Sequence, residues 1–105
     1  MASNTIKGRA ELGANNVTLV RLLISHPMTV ERRDAATGRT IDAHFIEEVT
    51  CEHGGDVVFS AVWGQAVSMN PFLQFSLLGA KKGDAIGVRW RDNKGDSDST
   101  QIAIV

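Results

Sequence analysis

Trp63-Gly64-Gln65-Ala66-Val67-Ser68-Met69-Asn70-Pro71-Phe72-Leu73-Gln74-Phe75 is the stretch on which the reading of this chain turns. Just before it, Phe59, Ala61 and Trp63 alternate with Val58, Ser60 and Val62, the two-residue period of a β-strand. Gly64, with no Cβ, ends that run. Asn70-Pro71 stops a helix from forming and is expected to push Asn70 into an extended conformation, because the proline ring crowds the residue before it. Alternation then resumes, with Leu73, Phe75 and Leu77 on one face. Two aromatic-rich strands joined by a crossing of about eight residues fit a move from one sheet to another better than a tight hairpin.

The flanking sequence repeats the pattern. Ile6, Gly8, Ala10 and Leu12 alternate with charged Lys7, Arg9 and Glu11, as in a protected edge strand. Gly13 to Asn16 is a turn. Val17 to Ser25 carries apolar residues on both faces, Val20, Leu22 and Ile24 against Leu19 and Leu23, which predicts a central strand. His26-Pro27 closes it. Met28 to Thr40, with Arg32, Arg33, Asp34 and Thr37-Gly38, reads as a long exposed loop. Ile41 to Glu52 reads as one strand with a bulge at Glu47-Glu48, which lets Phe45 and Val49 both pack. His53-Gly54-Gly55 turns it into Asp56–Trp63 as a hairpin. After the turn at Gly79 to Asp84, Ile86, Val88 and Trp90 face inward. Asp92 to Gly95 then makes a hairpin turn into a last strand holding Ile102 and Ile104. Seven strands without a helix predict an all-β, immunoglobulin-like two-sheet sandwich, with residues 1–105 as a single domain.

Composition excludes several classes. A formal net charge of -1 with no basic stripe gives nucleic acid nothing to bind. No apolar run is long enough to cross a membrane. The first residues, Met1 to Lys7, contain no apolar segment of the kind a secretory signal needs, so composition alone points to a soluble cytoplasmic domain. A single cysteine, Cys51, excludes an internal disulfide.

Four residues could carry chemistry: His26, His44, Cys51 and His53. Cys51-Glu52-His53 places a thiol and an imidazole two apart on a strand, where they could share a face toward copper or zinc. No methionine follows as a blue-copper loop requires, so a half-buried cysteine and a turn-opening histidine fit better. Cys51 has no nearby lysine, arginine or helix N-terminus to activate its thiol. Glu47 and Glu48, adjacent on a regular strand, would point to opposite faces rather than pair as acid and base. The glycines sit in turns and build no phosphate cradle. No metal, cofactor or catalytic set emerges. A binding or structural module is left, set against a small metal- or thiol-dependent enzyme or redox protein using Cys51 and His53. A reactive thiol would be labelled well below the ordinary thiol pKa.

The residues also resemble a known family, the SoxZ subunit of the bacterial thiosulfate-oxidising Sox system. The resemblance rests on His26-Pro27-Met28, Ile41 to Ile46, Trp63-Gly64, Ala66 to Ser68, Asn70-Pro71-Phe72, Gly79-Ala80, Lys82 to Asp84, Trp90 and Asp92 to Gly95. Met69 stands where many relatives carry a lysine. The resemblance implies an immunoglobulin-like, non-enzymatic scaffold that forms a heterodimer with SoxY, the subunit carrying sulfur intermediates on a cysteine in a flexible arm. It also implies transient contact with other Sox enzymes. The implied compartment is the periplasm, reached on the partner's export signal, which replaces the cytoplasmic expectation.

The same crossing is the expected partner surface. Gln65, Val67, Met69, Asn70, Pro71 and Phe72, with His26 and Met28 as a neighbouring patch, place apolar residues where a lone domain more often has polar ones. Met69 can adapt to a partner through its flexible side chain. The alternative is that the crossing folds back to cap the sandwich, with Phe72 in the core.

Overall fold

The computed structural model of the chain describes residues 4–105. Two antiparallel sheets face each other, joined by a short accessory ribbon. The first sheet has the order β1-β2-β7, from β1 (Ile6–Leu12), β2 (Val17–Ile24) and β7 (Phe72–Leu78). The second has the order β6-β5-β8-β9, from β5 (Ile46–His53), β6 (Asp56–Val62), β8 (Ala85–Asp92) and β9 (Ser97–Ala103). The fold is all-β, a sandwich of the immunoglobulin-like kind, with seven long strands as the alternation predicts.

The central place of β2 follows from its two apolar faces: it pairs with β1 on one side and β7 on the other. Its inward residues Val20, Leu22 and Ile24 meet Ile86, Val88 and Trp90 of β8, and all six are buried. The chain does cross between sheets at Trp63–Pro71, from β6 to β7. Phe59 and Phe75, one from each sheet, stack across the gap with ring centroids 4.9 Å apart.

Four local expectations need correction. The segment Met28 to Thr40 is not simply an exposed loop. Met28 is buried, Thr29 bridges His44, and β3 (Arg32–Arg33) pairs with β4 (Thr40–Ile41) in a ribbon. Ile41 to Glu52 is accordingly two pieces, because Ile41 belongs to that ribbon and β5 begins at Ile46. The bulge falls where the faltering alternation put it, as a register shift between Ile46 and Glu48. Phe45 and Val49 both pack, as the bulge predicts, but the two glutamates do not point to opposite faces. With the extra residue, Glu47 and Glu48 no longer oppose each other, and both reach Arg91, at 2.9 and 3.4 Å. Finally, Asn70 has φ 51°, the left-handed conformation rather than an extended one. Asparagine tolerates that region, and two hydrogen bonds to the His26 main chain hold it there.

Candidate functional site

The polar centre of the molecule lies at the end of the sandwich where β2 stops, β5 starts and β8 turns. His26 follows β2, His44 precedes β5, and Asp92 closes β8. The sequence separates them widely, but sheet pairing brings their side chains together. His26 Nε2 lies 3.0 Å and His44 Nε2 2.8 Å from the same Asp92 oxygen, Oδ2. The other oxygen, Oδ1, accepts the main-chain N–H groups of Lys94 and Asp96 at 3.0 and 2.9 Å. His26 stands edge-on to Trp90, with centroids 5.2 Å apart.

Asp92 is fully buried as a side chain and His26 nearly so. Burial alone would raise the Asp92 pKa. The hydrogen bonds donated by His26, the Asp96 main chain, His44 and the Lys94 main chain outweigh that, and the carboxyl sits below its ordinary value.

Two imidazoles and a carboxylate with ligand atoms within 4.8 Å of one another have the composition of a metal site. A further hydrogen bond decides against that reading. The Met28 N–H donates to His26 Nδ1 at 3.1 Å, so Nδ1 must hold a lone pair and the ring proton must sit on Nε2. Nε2 is the atom facing Asp92, and a protonated nitrogen cannot ligate. The cluster is therefore an internal hydrogen-bonded brace, in which His26 donates to a buried carboxylate.

The brace positions the crossing. From the same residue, the His26 N–H donates to Asn70 Oδ1 at 3.0 Å, and the Asn70 N–H donates to the His26 carbonyl at 2.9 Å. Gln65 Oε1 accepts the Glu31 N–H at 3.0 Å and ties the start of the crossing to the ribbon segment. Trp63 and Val67 pack against Ile24, Met28, Ile46, Val49 and Trp90. Met28 is held at φ 46°, a strained conformation for a side-chain-bearing residue, while the Ile46 N–H donates to its sulfur at 3.3 Å.

The eight residues of the expected partner surface thus separate into two groups. His26 and Met28, 4% and 5% exposed, lie inside the chain and offer no free surface. Pro71 is buried and Val67 half-buried. Gln65 and Asn70 are exposed but engaged in the bonds above. Met69 and Phe72, 66% and 61% exposed, project outward. Phe72 lies opposite Leu23 on the outer surface of the first sheet, and Leu23 is exposed as well. So the crossing is a cap in its first half and an apolar projection in its second, and Phe72 does not belong to the core.

The Cys51 and His53 pair does not come together. Cys51 is fully buried in the core, and desolvation pushes its thiol up to about 11. His53 Nε2 instead meets Asp84 Oδ2 at 2.9 Å. That hydrogen bond is the leading cause that holds the Asp84 carboxyl below its ordinary value, joined by the Lys81 N–H. A thiol whose pKa has risen by burial holds almost no thiolate near neutrality and makes a poor nucleophile or ligand.

Sequence reasoning missed the partnership of His44 and Asp92. Asp92 read only as a turn residue, and the signal was a lone acid at the end of the cleanest inward alternation in the chain. Fold and site together define an immunoglobulin-like sandwich with a braced polar end, an unactivated core thiol and an apolar projection beside one sheet edge. The chain belongs to the SoxZ family: the family model described as sulphur oxidation protein SoxZ matches residues 6–103. Its role thus lies in sulfur oxidation. No curated protein matches the chain.

Proposed function

We propose that this chain is the non-catalytic scaffold subunit of a SoxYZ-type carrier. It pairs with a SoxY-like subunit, which holds the sulfur intermediates covalently on its own cysteine. The pair works in the periplasm, is exported on the partner's signal, and meets the other Sox enzymes transiently. The observation that carries this reading is the family match across residues 6–103. The state of Cys51 supports it: a buried thiol with its pKa near 11 is a poor carrier of a sulfur substrate that must be loaded and released by other proteins. On this reading Met69 and Phe72, with Leu23 beside them, form the apolar centre of the contact with the partner, and the His26–Asp92 brace behind them keeps that surface in shape.

Co-expression with a SoxY-like chain tests it. The two chains should co-purify in equal amounts, and Cys51→Ser should leave thiosulfate-dependent turnover by the reconstituted system intact. Failure of the chains to associate would remove the scaffold reading. Loss of turnover with the Cys51→Ser complex still assembled would instead give the thiol a role in the chemistry.

A further inference from the structure

The free edge of β7 is unusual in its lack of protection. Edges normally carry charge, a proline, a bulge or a cover. β1, at the far side of the same sheet, carries Lys7, Arg9 and Glu11 and is covered by Ile104 and Val105. β6, the neighbouring edge of the other sheet, carries Asp56 and a register shift against β5. β7, Phe72–Leu78, has no charged residue and pairs with β2 without a break.

Its main-chain groups have a defined direction. The Ile24 N–H donates to the Pro71 carbonyl at 3.0 Å, and the Gly79 N–H donates to the Asn16 carbonyl at 3.4 Å. Odd-numbered residues of this strand therefore bond to β2. Alternation turns the N–H and C=O groups of Phe72, Gln74, Ser76 and Leu78 to the open edge.

The strand also reads alike from both ends. On the outer surface Phe72, Gln74, Ser76 and Leu78 run apolar, polar, polar, apolar. On the inner surface Leu73, Phe75 and Leu77 run leucine, phenylalanine, leucine. Set antiparallel to itself about Phe75, the strand pairs Phe72 with Leu78 of the second copy, Gln74 with Ser76, and Leu73 with Leu77. Phe75 meets its own equivalent. Every edge-facing residue then lies opposite an edge-facing residue, as the ladder requires. A register centred on Gln74 also satisfies the ladder, but it sets Phe72 against Ser76 and leaves Leu78 without a partner. Only the Phe75-centred register pairs Phe72 and Leu78, 61% and 72% exposed in the single chain, with each other.

We propose that two copies of this chain join along β7 in a two-fold antiparallel contact centred on Phe75, making one continuous six-stranded sheet from their two three-stranded sheets. This self-contact draws on Phe72, which the heteromeric reading above also uses, so it is measured on the lone chain, where the two contacts do not compete. A Phe72→Cys/Leu78→Cys double variant, oxidised gently, should form a covalent dimer at twice the 11.3 kDa chain mass. Each single variant leaves its cysteine facing a native apolar residue and should cross-link at least about tenfold more slowly. In the unmodified chain, amide exchange at Gln74 and Ser76 should slow by about tenfold or more between micromolar and millimolar concentration. Gln74→Pro removes an edge-facing N–H without removing a bond to β2, and should abolish that concentration dependence. A chain that stays monomeric at millimolar concentration would overturn the proposal, as would single variants that cross-link as fast as the double. Edge amides that become protected only when the SoxY-like subunit is added would overturn it too, and would assign the edge to that partner.

Discussion

The two long sides of this sandwich are finished differently. Along the β1/β9 side the chain closes itself. Ala10 and Ile104 form a parallel bridge, the Val105 N–H donates to the Ala10 carbonyl, and the Leu12 N–H donates to the Val105 carbonyl, both at 2.9 Å. Further along, Asp98 accepts both the N–H and the hydroxyl of Thr5, at 2.9 and 2.7 Å, and Thr5 in turn accepts the Trp90 indole N–H at 2.9 Å. Along the β6/β7 side nothing of the kind occurs among the described residues. Two strand edges stand open, the Phe59–Phe75 stack spans the gap between sheets, and Val62, Met69, Phe72 and Leu78 are exposed. The same chain thus seals one side with Ile104 and Val105 and leaves apolar surface on the other. That asymmetry is the physical basis for placing intermolecular contacts at β7 and the crossing that leads into it.

The largest effect is expected where the brace holds the open side in shape. Asp92→Asn keeps the size of the side chain but not its charge, and its two amide positions cannot serve all four surrounding groups. Whichever way the amide turns, its NH₂ faces either His26 Nε2–H or the two main-chain N–H groups. We expect a loss of about 2–3 kcal/mol in denaturant unfolding. The pH dependence sharpens this. The Asp92 carboxyl titrates lower in the folded chain than in the unfolded one. Its contribution is therefore present above the unfolded carboxyl value, near about 4, and is lost as pH falls through the folded value. Asp92→Asn should flatten that part of the acid-side slope, leaving the parts due to Asp84 and Asp98, which are also depressed. An unchanged acid limb would mean that the brace does not couple to folding.

The sealed side gives a smaller expected effect. A Cβ added at Gly8 would come within 2.5 Å of Ile102 Cδ1 and 2.6 Å of Leu22 Cδ2, with the Arg21 carbonyl at 3.0 Å. The two side chains can shift but the carbonyl cannot move far, so Gly8→Val should cost about 1–3 kcal/mol through overpacking between β1, β2 and β9. The variant should leave assembly untouched. A change in partner affinity at Gly8 without a change in stability would break the comparison, because it would place a contact on the side that the chain closes by itself.

Much of this architecture is legible in the residue pattern. Period-two alternation located the seven long strands, the two-faced apolar run of β2 placed it centrally, and the length of the crossing implied a change of sheet. The Glu47–Glu48 irregularity announced a bulge. What the pattern could not give were contacts between residues far apart in sequence. His26, His44 and Asp92 meet only because β2 stops, β5 starts and β8 turns at the same end of the sandwich; the acid that closes the β8 alternation was a local hint of one member, but nothing local encodes the meeting. Asn70 escaped the rule for residues before proline because a distant main chain, that of His26, supplied both of its hydrogen bonds. His26 and Met28 read as surface neighbours of the crossing, but they lie beneath it, since a histidine with two partners and a methionine bonded through sulfur can be buried at little cost.

The most direct measurement is the affinity of Met69→Asp for the SoxY-like subunit, taken together with the unfolding of the lone variant. Met69 is exposed and touches no polar partner within the chain, so its replacement should shift the stability of the lone subunit by less than about 0.5 kcal/mol. A carboxylate at the centre of an apolar contact should weaken the heteromeric complex by about 2 kcal/mol or more. A complex that forms with unchanged affinity would contradict the account and move the interface off the open side of the sandwich.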